Sequence, residues 1–290
     1  MMSYIILTES NCDLSPEMIK KWNIEVLPMP YTVDGKPYLG YPDGREMKIE
    51  EFYRLLREGK ESKTAAPNPA DFVEMAEPFF KEGKDILYIA FSSGLSSTCI
   101  NANMAAAELM EKYPERKFLV VDSLCASMGL GLLTVLACDK RDEGLSIEEN
   151  AKWVEENKLH LCHWFTVNDL FHLKRGGRVS ATSAILGSAL GIKPVLHVDN
   201  EGHLIPVSKV RGRKQSLDGL VKMMAETVTD AKNGYVFISH GDCLEDAKYV
   251  EKQIKEKLGS KKFYINFIGT SIGTHSGPGT VALFFLGSQR

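Results

Sequence analysis

The sequence predicts an α/β protein, and three observations carry that prediction. In the first half, short apolar runs without helical period alternate with longer Ala-, Leu- and Met-rich stretches. That is the βαβα pattern of a parallel sheet with helices on both faces. A second series of strand-like runs starts after residue 157, and the turn Asn200-Glu201-Gly202 joins two of them. Part of that second sheet is therefore expected to be antiparallel. Finally, 290 residues with 44% hydrophobic and 25% charged content suffice for one compact domain or for two with separate cores. We read two α/β domains: residues 1–157 with a parallel sheet flanked by helices, and residues 158–290 with a mixed sheet.

The elements follow in order. SYIILTES opens with a strand, and Ser15 then caps a helix whose first position is Pro16. Residues 23–40 are rich in β-formers around Asp34-Gly35, a two-residue hairpin signal. Apolar residues at 49, 52, 55 and 56 have helical spacing. ESKTAAPNPADF, with two prolines and Thr64, reads as a rigid loop before a helix that opens near Pro69. DILYIAF (85–91) is a buried strand, a helix runs from Thr98, KFLVVDS (117–123) is a strand and a long apolar helix spans about 127–143. SIEENAKWVEENK is an amphipathic helix that closes the first domain. The second half reads as strands at LHLCHWFTV, KPVLHVD, HLIPVSKV, YVFISHGD and KFYINFIG, with a helix over SATSAILGSALG (180–191).

Composition sets limits on partners. A net charge of −3 gives no global attraction to nucleic acid or anionic membranes. Six cysteines without a CxxC pair, four of them in apolar runs, read as buried thiols of a cytoplasmic protein. The amino-terminal apolar run is too short for a signal peptide, and no segment approaches 18 uninterrupted apolar residues, so no integral membrane segment is expected.

The stretch FSSGLSST (91–98) is where chemistry is expected first. Small hydroxyl residues and a glycine lie at a strand's carboxyl edge, ahead of a helix's first N–H groups. Such a loop suits a carboxylate or a phosphate. A hydrolase elbow would need G-x-S-x-G, and GLSST has Thr98 at the second glycine. A serine hydrolase or transferase using Ser93 or Ser96 with His275 is the alternative from another class, and a binding protein for a phosphorylated metabolite is a third. GLGLLT (129–134) lacks the third glycine of a dinucleotide fingerprint and lies inside an apolar helix, so it reads as close helix packing. HLCH (160–163) would point its two histidines to opposite faces of a strand, poor geometry for shared metal ligation. No metal or other cofactor is expected. Arg178 follows Gly176-Gly177, and the glycines let its planar donors turn inward toward a carboxylate or phosphate. His275 stands among Gly269, Gly273, Gly277 and Gly279, as if held in a glycine-rich loop for ligand contact. The basic run SKVRGRK (208–214) reads otherwise as a solvated turn.

With these stretches in hand, the chain resembles the DegV family, the bacterial fatty-acid-binding proteins that include the lipid-carrying subunit of fatty acid kinase. The resemblance covers essentially the full length. It rests on six segments in order: TESNCDL (8–14), KTAAPNP (63–69), FSSGLSST, LKRGGRVS (173–180), KPVLHVDNEGHLIPVSKVRGRK (193–214) and IGTSIGTHSGPG (268–279). It implies two α/β domains with a long-chain fatty acid buried between them, no catalytic machinery, and a separate kinase that converts the carboxylate to an acyl phosphate. Carried over by motif, Thr64 and Ser93 bond the carboxylate with the Gly94 backbone beside them, and Arg178 and His275 complete the head-group network. Arg211, Arg213 and Lys214 fall on the segment that resembles the kinase-docking surface. Two departures stand out: Glu9 where the family usually has Asp, and Ala65-Ala66 where it usually has Ser-Gln. At about 0.8 kcal/mol per buried methylene, roughly fifteen methylenes offer on the order of 12 kcal/mol before binding costs, so the tail dominates affinity and the head group selects acids.

Overall fold

The computed structural model describes residues 4–168, 170–179 and 191–290. The helix expected over 180–191 therefore lies, apart from its last residue, outside the described residues.

The first part is a parallel sheet of β2 (Ile24–Leu27), β1 (Tyr4–Glu9), β6 (Asp85–Ala90) and β7 (Phe118–Asp122), in that order. Strand β1 is buried throughout and β6 at all but its first residue, as expected where helices cover both faces. Alternate residues divide between the two covers. Ile5, Leu7, Ile86 and Tyr88 meet α3 (Pro69–Lys81) and α4 (Thr98–Lys112), while Tyr4, Ile6, Leu87 and Ile89 meet α5 (Met128–Asp142) and α6 (Ile147–Asn157). The caps are those the sequence marks: Ser15 accepts the Met18 N–H at 3.3 Å at the head of α1 (Pro16–Trp22), and capping boxes open α3 and α6.

The second part is a mixed sheet ordered β10 (Leu204–Arg211), β9 (Ile192–Val198), β8 (Leu161–Thr166), β13 (Val281–Leu286), β11 (Tyr235–His240) and β12 (Lys262–Phe267). Every neighbouring pair is antiparallel except β11 and β12. Helices α8 (Arg213–Thr227) and α9 (Leu244–Leu258) cover one face.

Helix α5 packs between the two sheets. Its residues belong to the core that contains Ile6 and Leu87 of the first sheet and Phe165, Phe237 and Phe284 of the second. A helix apolar on all sides belongs in such a place. Its glycines permit the approach: a Cβ on Gly129 would sit 2.1 Å from His163 Nε2, and one on Gly131 would sit 2.6 Å from the Cys12 carbonyl oxygen. GLGLLT is thus helix packing.

The structure corrects the sequence reading in two places. The rigid loop expected around Thr64 begins as a strand: β5 (Ser62–Thr64) pairs with β3 (Met29–Val33), which also pairs with β4 (Lys36–Gly40), forming a small antiparallel sheet. Its hairpin turns at Asp34 (φ 47°) and Gly35 (φ 77°), the left-handed pair that a tight two-residue turn requires. His275 is not in a loop either. Residues Thr270–Ser276 form a helix, α10, because the glycines flanking it end the strand and the helix while Gly273 packs against Phe52 and Tyr53.

Candidate functional site

A cavity of about 200 Å³ lies between the two sheets. Its apolar wall includes Phe91, Leu95, Phe165, Leu173, Val198 and Phe284, contributed by both halves of the chain. Thr64, Arg178 and His275, more than 200 residues apart in sequence at the extremes, also line it.

Two parallel hydrogen bonds put Thr64 and His275 together. Ser62 Oγ meets Thr274 Oγ1 at 2.7 Å, fastening α10 to β5, and Thr64 Oγ1 meets His275 Nε2 at 2.8 Å. At its other end α10 is held by Asp13, whose Oδ1 accepts the Gly269 N–H at 2.9 Å. The imidazole fits because residue 176 is glycine: a Cβ there would come within 2.2 Å of His275 Nδ1. That nitrogen is buried and has no hydrogen-bond partner among the described residues. Burial first, then the guanidinium groups of Arg178 and Arg175, push the His275 imidazole down to about 4, so it is neutral near pH 7.

Arg178 follows α7 (Phe171–Arg175) and the turn at Gly177, whose φ of 69° is a left-handed conformation that suits glycine. The turn closes with the Arg178 N–H donating to the Leu173 carbonyl at 3.1 Å. The guanidinium donates to the Gly176 carbonyl. Burial lowers its pKa. A partly buried guanidinium that makes no ion pair among the described residues, beside a neutral imidazole and a threonine hydroxyl, is a group suited to an anion.

The remaining expected residues are placed differently. Ser93 is exposed, its N–H donates to Asp122 Oδ1 at 3.2 Å, and neither it nor Gly94 lines the cavity. Gly94 instead packs on the turn of the second sheet, where a Cβ would meet the Glu201 carbonyl oxygen at 2.7 Å. The cavity takes Leu95, Ser96 and Ser97 from that loop, because the loop turns its later residues inward. Ser96 Oγ bonds Thr98 Oγ1 at 2.7 Å. Arg213 is committed to the fold through Asp246 at 2.9 Å and the Gly279 carbonyl at 2.7 Å, whereas Arg211 and Lys214 are exposed. His163 accepts the Ala126 N–H at 3.2 Å, and His160 lies outside β8. Among the described residues no group of three or more His, Cys, Asp and Glu is arranged to hold a metal ion.

Sequence reasoning missed Ser276 and Asn11, two buried polar residues that line the cavity. A helical reading of 270–276 would have put residues 271, 272, 275 and 276 on one face and flagged the first.

Comparison with known proteins agrees with this architecture. The family model described as "uncharacterised protein, DegV family" matches residues 3–288. The chain belongs to the DegV family. A DegV domain-containing protein of Clostridium perfringens is 42% identical over 290 residues, covering 100% of this chain and 99% of the relative. Among solved DegV structures, a lipid-binding protein of Thermotoga maritima superposes with a TM-score of 0.88 at 28% identity, covering 100% of both chains. A DegV family protein of Thermus thermophilus, described for its fatty acid binding, also gives 0.88 at 28% identity over 99% of this chain and 100% of its own. No helix among the described residues is long and apolar enough to cross a membrane.

Proposed function

We propose that this chain, divided into domains 1–157 and 158–290, binds one long-chain fatty acid in the cavity between them. It presents the carboxylate to a separate kinase, which phosphorylates it to an acyl phosphate. The observation that carries the reading is the pairing of an apolar cavity with a guanidinium, a hydroxyl and an imidazole at its wall. The Arg178 guanidinium supplies charge, and Thr64 Oγ1, accepting from the Nε2–H tautomer of His275, has its own hydroxyl proton free to donate to a carboxylate oxygen. The tail adds affinity in proportion to the methylenes it removes from water, about 0.8 kcal/mol each. Fatty acid or lipid binding in two DegV relatives of the same fold supports the same reading.

The chain acts as a carrier with no catalysis of its own and needs no cofactor. His275 Nε2 is engaged by Thr64, and no hydrogen bond from His275 to Ser93 or Ser96 favours a serine nucleophile. The docking surface for the kinase is the basic run at the end of β10, with Arg211 and Lys214 exposed for contact and Arg213 bracing the segment from beneath.

Native mass spectrometry of protein purified from cells is the test. A bound acid of lipid mass is expected. A clean apo mass that persists after incubation with palmitate or oleate counts decisively against the reading. Arg211→Glu should leave the lipid in place and abolish phosphorylation by the partner, so loss of lipid in that variant would refute the assigned docking role.

A further inference from the structure

We propose that the fatty acid enters and leaves through the seam between the 91–98 loop and the turn at 199–202, and that Arg290 latches this seam shut. The proposal rests on the fatty-acid reading and adds the ligand's route. The two segments come from opposite halves of the chain. Ser92 Oγ donates to the Gly202 carbonyl at 2.9 Å. The approach is close from both sides, since a Cβ on Gly94 would sit 2.7 Å from the Glu201 carbonyl oxygen and one on Gly202 would sit 2.1 Å from Ser92 Oγ. Cavity-lining residues flank the seam: Leu95, Ser96 and Ser97 follow Ser92, and Val198 and Leu204 bracket the turn.

Among the described residues no strand ladder crosses this seam, because β9 and β10 form the edge hairpin of the second sheet and the first sheet pairs with neither. Elsewhere the halves are joined through buried surface. Helix α5 lies in the shared core, Trp22 of α1 meets Tyr264 and Tyr235 edge-on with ring centroids 5.4 and 6.3 Å away, and the hydrogen bonds of Ser127 with Asp13 and Ser239 are buried. Parting the halves there exposes apolar core, whereas tilting the hairpin away from the loop breaks mainly polar contacts.

Arg290 spans the seam. Its Nη1 donates to the Leu124 carbonyl at 2.8 Å and the Asp199 carbonyl at 3.1 Å, and its Nη2 to the Lys158 carbonyl at 2.7 Å and Cys125 Sγ at 3.3 Å. Nε reaches the Leu161 carbonyl at 3.2 Å. On one side, the Cys125 carbonyl accepts the Ser92 N–H at 3.0 Å, so holding residues 124 and 125 holds the loop. On the other, the Asp199 carbonyl also accepts the Gly202 N–H at 3.0 Å, so holding Asp199 holds the turn. A planar fork of five donors suits this set of acceptors, and a lysine ammonium reaches fewer of them at once.

A latch acts on rates. It stabilises the closed form whether the cavity is empty or loaded, so its removal raises the open fraction in both states and speeds entry and exit together. A residue that only shapes the closed cavity changes exit and affinity.

Stopped-flow fluorescence of cis-parinaric acid with the delipidated protein reads entry, and its displacement from loaded protein by excess palmitate reads exit. Arg290→Met should raise both rate constants about tenfold or more, the scale of one or two charge-assisted bonds lost, and keep Kd within about twofold. Arg290→Lys should lie between this variant and the wild type. Ser92→Ala, which removes the other tie across the seam, should speed both steps by a smaller factor, and it decides the matter by itself if Arg290→Met does not fold. Arg178→Gln, at the head group, should speed exit alone. Unchanged rates in Arg290→Met and Ser92→Ala, or exit that quickens without entry, would overturn the inference. A wild-type protein that takes up neither parinarate nor palmitate would strike the fatty-acid reading, and this route with it.

Discussion

Glu9 offers a test of the packing that places the cavity. Its side chain is fully buried at the carboxyl end of β1, where Oε1 accepts the Phe91 N–H at 2.7 Å and Oε2 has no partner. Burial outweighs that hydrogen bond and raises the carboxyl from 4.5 to about 8, so the folded protein carries it neutral at pH 7. An unfolded chain ionises the same group near 4.5. Between these values the folded state holds a proton that the unfolded state has released, and stability falls as pH rises, levelling off above about 8. At about 1.4 kcal/mol per pH unit, the loss is on the order of 5 kcal/mol. Glu9→Gln keeps the acceptor for Phe91, turns the unpaired oxygen into an amide donor near the Tyr88 hydroxyl, and does not titrate. The variant should match the wild type in mildly acidic buffer and exceed it by a few kcal/mol above pH 8. Urea midpoints followed by circular dichroism across that range measure the difference. Asp13, raised to about 7 by burial, leaves the variant a shallower slope of the same sign. A variant curve parallel to the wild type would refute this account of Glu9.

Other outcomes follow from the site. The His275 imidazole, depressed to about 4, contributes stability that is present above its ordinary value near 6.5 and lost as pH falls toward 4. Its NMR titration should move upward on loading with palmitate, and an unmoved midpoint would remove the carboxylate from its neighbourhood. Thr64→Val and Arg178→Gln should each weaken palmitate binding about tenfold or more, whereas Ser93→Ala, at an exposed position outside the cavity, should change it less than about twofold; titration calorimetry reads all three. Gly176→Ala adds a Cβ 2.2 Å from His275 Nδ1 on a backbone that alanine adopts freely, so it should displace the ring and reduce lipid binding with little loss of thermal stability.

Much of this architecture is local and therefore written in the sequence. The period-free run at 85–90, the Ser15-Pro16 start of α1, the Asp34-Gly35 hairpin and the all-apolar helix from 128 to 142 each follow from backbone preference and burial pattern within a few residues. The membership of Thr64, Arg178 and His275 in one group came from motif resemblance, since nothing local connects residues so far apart. What only the tertiary structure decided is which way each of these pieces faces. The 91–98 loop turns Ser96 and Ser97 to the cavity and leaves Ser93 outside, because Gly94 is pressed against a turn of the other sheet. A short helix instead of a loop brings Ser271 and His275 onto one face, and α5 can lie between the sheets only because Gly129 leaves room for His163. Composition and periodicity record what a segment prefers by itself, whereas the direction of a side chain at a junction depends on the atoms that distant segments bring against it.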